Sequence, residues 1–127
     1  SAASAVYKRQ TSGSTSAGVM DILYNVIEGM EDSRIIAHGF KIKPGKPTFI
    51  AIVRGKVLFG LPGYPTSAMI AFQRIVRPYL RDMAGLPKVK LTKVRAKLVS
   101  KINVELGRRN FVPVVLTKRE GSKIIAD

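Results

Sequence analysis

Thr48-Phe-Ile-Ala-Ile-Val53, Arg54-Gly-Lys56, Val57-Leu-Phe-Gly-Leu61 and Pro62-Gly-Tyr-Pro65-Thr-Ser67 follow one another without a gap, and this stretch decides the fold. An apolar run of strand length, a short glycine-containing turn and a second apolar run read as two buried, paired strands. Two prolines and two glycines between Gly60 and Pro65 then stop the pattern. From Ala68 onward, Met69, Ala71, Phe72, Ile75, Val76, Tyr79 and Leu80 recur at helical spacing. Thr66 or Ser67 is placed to cap this helix, and Pro78 falls where it would kink it. A strand that ends in a restricted turn and passes into a helix is where open α/β sheets bind ligands. The hydroxyls of Tyr64, Thr66 and Ser67 stand at the exit of this turn.

Upstream, Lys43-Pro-Gly-Lys-Pro47 is a turn stiffened by two prolines and carrying two ammonium groups. Proline fixes φ, so little conformational entropy is lost when such a turn meets a ligand. Lysines there suit a phosphate or other oxyanion, and equally suit solvent. Arg34 to Lys43 alternates like a strand, and Val19 to Met30 carries Met20, Leu23, Tyr24, Ile27 and Met30 at helical spacing. Thr11 to Gly18 is small, polar and hydroxyl-rich (Thr11, Ser12, Gly13, Ser14, Ser16, Gly18) and leads into that helix. Backbone N–H groups at a helix start favour an anion, so this is a candidate phosphate cradle, though small polar loops before helices are common. No Gly-Lys-Ser/Thr follows, so it is not a Walker loop.

Downstream of Gly85-Leu-Pro87 the composition turns basic and β-rich. Val89 to Val104, Asn110 to Lys118 and Lys123 to Ala126 read as strands, and the alternation of Lys88, Lys90, Lys93, Arg95 and Lys97 with apolar residues reads as a solvated strand face. The net charge of the whole chain is +14. Charge of that size would suit nucleic acid, an acidic membrane surface or a polyanionic small molecule, but Phe111 is the lone aromatic after Gly85, against the stacking that single-stranded nucleic acid needs. No apolar run reaches the length of a membrane span. Cysteine is absent, which excludes disulfides and thiolate metal sites and makes a cytoplasmic location the default; His38 alone cannot form a zinc site.

Taken together, Thr11 to Asp21, Lys43 to Pro47 and Gly60 to Ser67 resemble, in order and spacing, the molybdopterin-binding domain of the molybdopterin molybdotransferase family, also found as the E domain of gephyrin. The helix with Pro78-Tyr-Leu near its end fits as well, and Gly107-Arg-Arg-Asn-Phe111 resembles the start of the family's carboxy-terminal β-barrel. The chain departs from the family pattern at Ser14, Val19 and Tyr64, which stand where glycine, an acidic residue and asparagine are usual. The fold implied is α/β: an incomplete three-layer molybdopterin-binding domain at 11–85, then part of an all-β barrel domain at 86–127. Residues 1–10 are expected to be foreign to it, because Val6-Tyr-Lys-Arg-Gln10 resembles a translated sequencing adapter; a short native strand is the alternative.

The resemblance also implies a reaction, the insertion of molybdate or tungstate into adenylylated molybdopterin with release of AMP. It implies further that Mg²⁺ assists and that the full-length protein is a homodimer. Asp21 matches the family's functional aspartate and is the expected catalytic and metal-holding residue. Thr11, Ser12, Gly13, Ser14, Ser16, Gly18, Lys43, Lys46, Pro62, Gly63, Pro65 and Ser67 are expected to bind substrate. The rival functions are a non-catalytic pterin-binding scaffold and a basic nucleic-acid module. The related molybdopterin adenylyltransferases are a nearer neighbour, but the β-rich tail speaks against them.

Overall fold

The computed structural model describes residues 19–118 and 124–126. Thr11 to Gly18 and the segment 1–10 lie outside the described residues. Helix α1 spans Val19–Glu28 and leads through a turn into strand β1, Ser33–His38. The Ser33 hydroxyl donates to the carbonyls of Ile27 and Met30 (the latter at 2.9 Å), which closes the helix end.

Strands β2, Ile42–Lys43, β3, Phe49–Val53, and β4, Lys56–Gly60, follow. Thus β3, the turn and β4 lie where the two apolar runs place them. They pair antiparallel from Phe49 opposite Gly60 to Val53 opposite Lys56, and β1 pairs antiparallel with the other edge of β3. The expected strand from Arg34 to Lys43 is broken. A register shift between Ile35 and Ala37 bulges β1, and Gly39, at φ 75°, turns the chain before the short β2.

Alternation gives the β1–β3–β4 sheet two faces. Phe49 and Ala51 are fully buried against Ile27 of α1, with Ile35, Val53 and Leu58 packed around them. Phe59 points to the opposite face, where its ring lies 5.3 Å from that of Tyr79 on the second helix. The sheet therefore has a helix on each side, as an α/β layer structure requires.

That second helix begins with α2, Pro65–Ala71, and ends with α3, Arg77–Met83. Its cap corrects the sequence expectation. Neither Thr66 nor Ser67 is the N-cap; Tyr64 is, with an extended backbone and no side-chain cap hydrogen bond. Pro65 is the cause, since its fixed φ and missing N–H suit the first helical position and move the start upstream. Between α2 and α3 a π-helical turn, Phe72–Val76, widens the helix just before Pro78, and the Arg77 N–H donates to the Phe72 carbonyl five residues back. Such a turn accommodates the missing proline donor without ending the helix. The helix closes in a Schellman pair, Gly85 N–H to Asp82 O and Leu86 N–H to Arg81 O.

Beyond Gly85 the described residues contain strands and irregular chain and no helix. The long strand expected from Val89 to Val104 reduces to β5, Lys97–Leu98. With β7, Leu116–Lys118, and β8, Ile124–Ala126, it forms an open three-stranded sheet in the order β5–β8–β7. Alternation creates a face, but a strand forms only where an edge is available to pair with; among the described residues β5 pairs with β8 at Lys97 and Leu98. Strand β6, Arg109–Asn110, joins a different partner, pairing parallel with β2.

Candidate functional site

Phe49 and Gly60 face each other at one end of the sheet, and from that end both motif turns depart. Gly60 is obligatory there: a Cβ on it would lie 2.0 Å from Cε1 of Phe49. The chain then passes through buried Pro62 and exposed Gly63, Tyr64, Pro65 and Thr66 to half-buried Ser67. On the other side, Lys43-Pro44 is a cis peptide and Gly45 has φ 119°. Thr48, fully buried, folds this turn back on itself; its N–H and Oγ1 both donate to the Gly45 carbonyl, at 3.1 and 2.7 Å.

At Gly45 the lysine turn comes close to the helix that follows the other turn. A Cβ built there would stand 2.8 Å from Cδ1 of Ile42 and 3.9 Å from Cβ of Ala71, in the helix that follows the Gly60–Ser67 turn. Lys43 and Lys46 are exposed beside that junction. Helix α1 starts toward the same end. Its last turn meets Ser33 at the start of β1, whereas Tyr24, one turn earlier, stacks 4.8 Å from His38 at the end of β1. Asp21 lies a further turn toward the helix start. His38 is thereby a packing partner of Tyr24 and Phe49.

Residues 10–82, more than half of the chain, match the family model described as "Probable molybdopterin binding domain". The chain belongs to this molybdopterin-binding family. A molybdopterin molybdenumtransferase 2 of Mycobacterium tuberculosis (strain CDC 1551 / Oshkosh) is 32% identical over 119 residues, covering 90% of this chain and 29% of its own length. The molybdenum cofactor synthesis protein cinnamon of Drosophila melanogaster is 34% identical over 112 residues, 87% of this chain and 18% of its own. Among solved structures, a molybdopterin biosynthesis moea protein from Pyrococcus horikosii superposes with a TM-score of 0.64 at 40% identity, over 84% of this chain and 25% of that one. The chain thus spans less than a third of the length of these relatives.

In this molybdopterin-binding domain the lysine turn is also tied to the far end of the chain. Asn110 pairs with Lys43 in the β2–β6 register, and Phe111 N–H donates to the Lys43 carbonyl at 2.8 Å. Above this, Glu105 takes Lys43 Nζ at 3.0 Å on one carboxylate oxygen and an Arg108 guanidinium nitrogen at 2.8 Å on the other. Its carboxyl is held below the usual carboxylate range, chiefly by the Lys43 hydrogen bond, with Arg108 and Lys46 adding through space. The Asn110 amide donates to the carbonyls of Glu105 and Arg108 at 2.9 and 3.0 Å and accepts from Glu105 N–H at 3.3 Å. Arg74 of the π turn stacks 4.6 Å from the Phe111 ring centre.

Sequence reasoning gave no site role to Glu105 or Arg74, and placed Asn110 and Phe111 only at the start of the barrel. A signal was present: Glu105 is the one acidic residue between Gly85 and Arg119, amid basic neighbours. The expected Mg²⁺ finds no ready cage, since among the described residues no three His, Cys, Asp or Glu side chains converge. Two depressions lie away from the turns. One, lined by Asp32, Ser33, Arg34, Ile52, Arg54 and Gly55, sits at the opposite end of the sheet. The other, about 680 Å³, runs along α3, where Arg77 is engaged with Gln73 and Arg81 with the Pro87 carbonyl. Among the described residues no helix is long and apolar enough to cross a membrane.

Proposed function

We propose that this chain carries the pterin- and oxyanion-binding part of a molybdopterin molybdotransferase, which inserts molybdate or tungstate into adenylylated molybdopterin and releases AMP. The observation that carries this is the departure of the lysine turn and the Pro62–Ser67 turn from one sheet end, with Gly45 of the first close to Ala71 in the helix that follows the second, in a chain of this family. Substrate and metal oxyanion are both negative. Several donors must therefore converge, and neither turn alone supplies enough.

In this reading Lys43 and Lys46 hold phosphate or molybdate oxygens. Pro62, Gly63 and Pro65 shape the wall, and Ser67 donates a hydroxyl. Thr11, Ser12, Gly13, Ser14, Ser16 and Gly18 cradle the phosphate ahead of α1. Asp21 would hold Mg²⁺ together with phosphate oxygens, the ion screening the charge that otherwise repels incoming molybdate. Residues 11–85 form the pterin-binding part and 86–127 the beginning of the barrel. A homodimer and a cytoplasmic location belong to the same reading.

The test uses the full-length protein. Lys46→Ala should weaken molybdopterin or molybdate binding by about 1.5–3 kcal/mol, the worth of a charged hydrogen bond, and Lys56→Ala on the hairpin should not. Asp21→Ala should slow reconstitution of an apo-molybdoenzyme while leaving binding largely intact. Unchanged binding and turnover in both Lys46→Ala and Asp21→Ala would remove these residues from the site.

A further inference from the structure

The ion pairs around Glu105 occupy Lys43, one of the two lysines assigned to the anion, together with Arg108. Glu105 presents one oxygen to Lys43 and the other to Arg108, at 3.0 and 2.8 Å. An oxyanion bridging the same two groups would set two of its oxygens in the same places. The arrangement is built from the backbone up. Asn110 grips Glu105 through its N–H and its carbonyl, and the β2–β6 pair sets Asn110 beside Lys43. Those bonds hold the Glu105 main chain, whereas its side chain is partly exposed.

The stability that a partly exposed pair contributes is small and does not by itself account for the arrangement. Charge gives a better reason. In a chain of net charge +14, a single carboxylate sits where the positive potential is needed for ligand, and it lowers that potential.

We propose that Glu105 is a resident stand-in for the oxyanion, occupying the position between Lys43 and Arg108 until a more highly charged anion displaces it. This rests on the reading of the Lys43–Lys46 turn as an anion site. A monoanion gains no charge advantage over the carboxylate it replaces, whereas a dianion such as molybdate does, so the device favours dianionic oxyanions. It also keeps Lys43 extended toward the site between ligands.

The experiment is calorimetric titration of the full-length protein with sodium molybdate. Wild type, Glu105→Gln, Glu105→Asp and Lys46→Ala are compared, with circular dichroism confirming the fold of each. Removing the charge while keeping the shape should tighten molybdate about threefold or more, the effect of one unit charge a few ångströms away in a partly solvated site. Glu105→Asp, which keeps the charge, should stay near wild type. Equal or weaker binding in Glu105→Gln, with Lys46→Ala still weakened, overturns the stand-in and leaves the anion site standing. Lys46→Ala binding as wild type overturns the anion site itself, and the stand-in with it.

Discussion

Gly60→Ala tests the junction on which both turns depend. The added Cβ would meet Cε1 of Phe49 at 2.0 Å and Cδ1 and Cζ at 2.4 Å. Ordinary carbon contacts begin near 3.5 Å, so the ring must retreat by about 1.5 Å. Phe49 has no solvent to retreat into, being 0% exposed and packed with Ile27 and Ala51. Overpacking of this kind costs about 1–3 kcal/mol, and the rigidity of this position favours the upper end. The loss is read from the midpoint of urea unfolding of the full-length protein, with the slope checked for constancy. Because Phe49 pairs with Gly60, the displacement also separates the lysine turn from the Pro62–Ser67 turn, and molybdate affinity should fall with stability. Phe49→Leu, which removes the ring that the methyl strikes, should make the double variant less costly than the sum of the singles. A Gly60→Ala cost below about 0.5 kcal/mol, the range of an ordinary surface change, or simple additivity with Phe49→Leu, would refute the close-approach argument.

The 127 residues expressed alone should be inactive and marginally stable, because Ile22 and Val26 on α1 and Ile36 on β1 are 61%, 54% and 49% exposed; a cooperative thermal transition at about 45–65 °C, usual for a complete mesophilic domain, would count against this. Glu105, whose carboxyl is lowered first by the Lys43 hydrogen bond, should contribute its stabilisation above the ordinary carboxylate range and lose it as pH falls through the lowered value. Wild type and Glu105→Gln should therefore unfold at different temperatures near neutrality and converge in acid, whereas a constant difference would mean that the charge is not involved. Asn110→Ala removes the partner of the part-buried Glu105 and Arg108 backbone groups and should destabilise by about 0.5–1.5 kcal/mol; protection of the Phe111 amide from hydrogen exchange should drop with it, and unaltered protection would show that β6 docks without the Asn110 clamp.

By itself the sequence determined what is written at short range. The β3–β4 hairpin follows from two apolar runs flanking Arg54-Gly55, and the helix after Pro65 follows from its periodicity and from proline's fixed φ. The lysine turn and the Gly60–Ser67 turn were legible for the same reason, since proline and glycine restrict or free the backbone wherever they stand. Only the tertiary structure decided that Gly45 lies close to Ala71, that Lys43 pairs with Asn110 and Glu105, and that, among the described residues, most of the basic alternating stretch after Gly85 forms no strand. Those contacts join segments from opposite ends of the chain. Their formation depends on loop closure and on which strand edges are open, and no local periodicity encodes either.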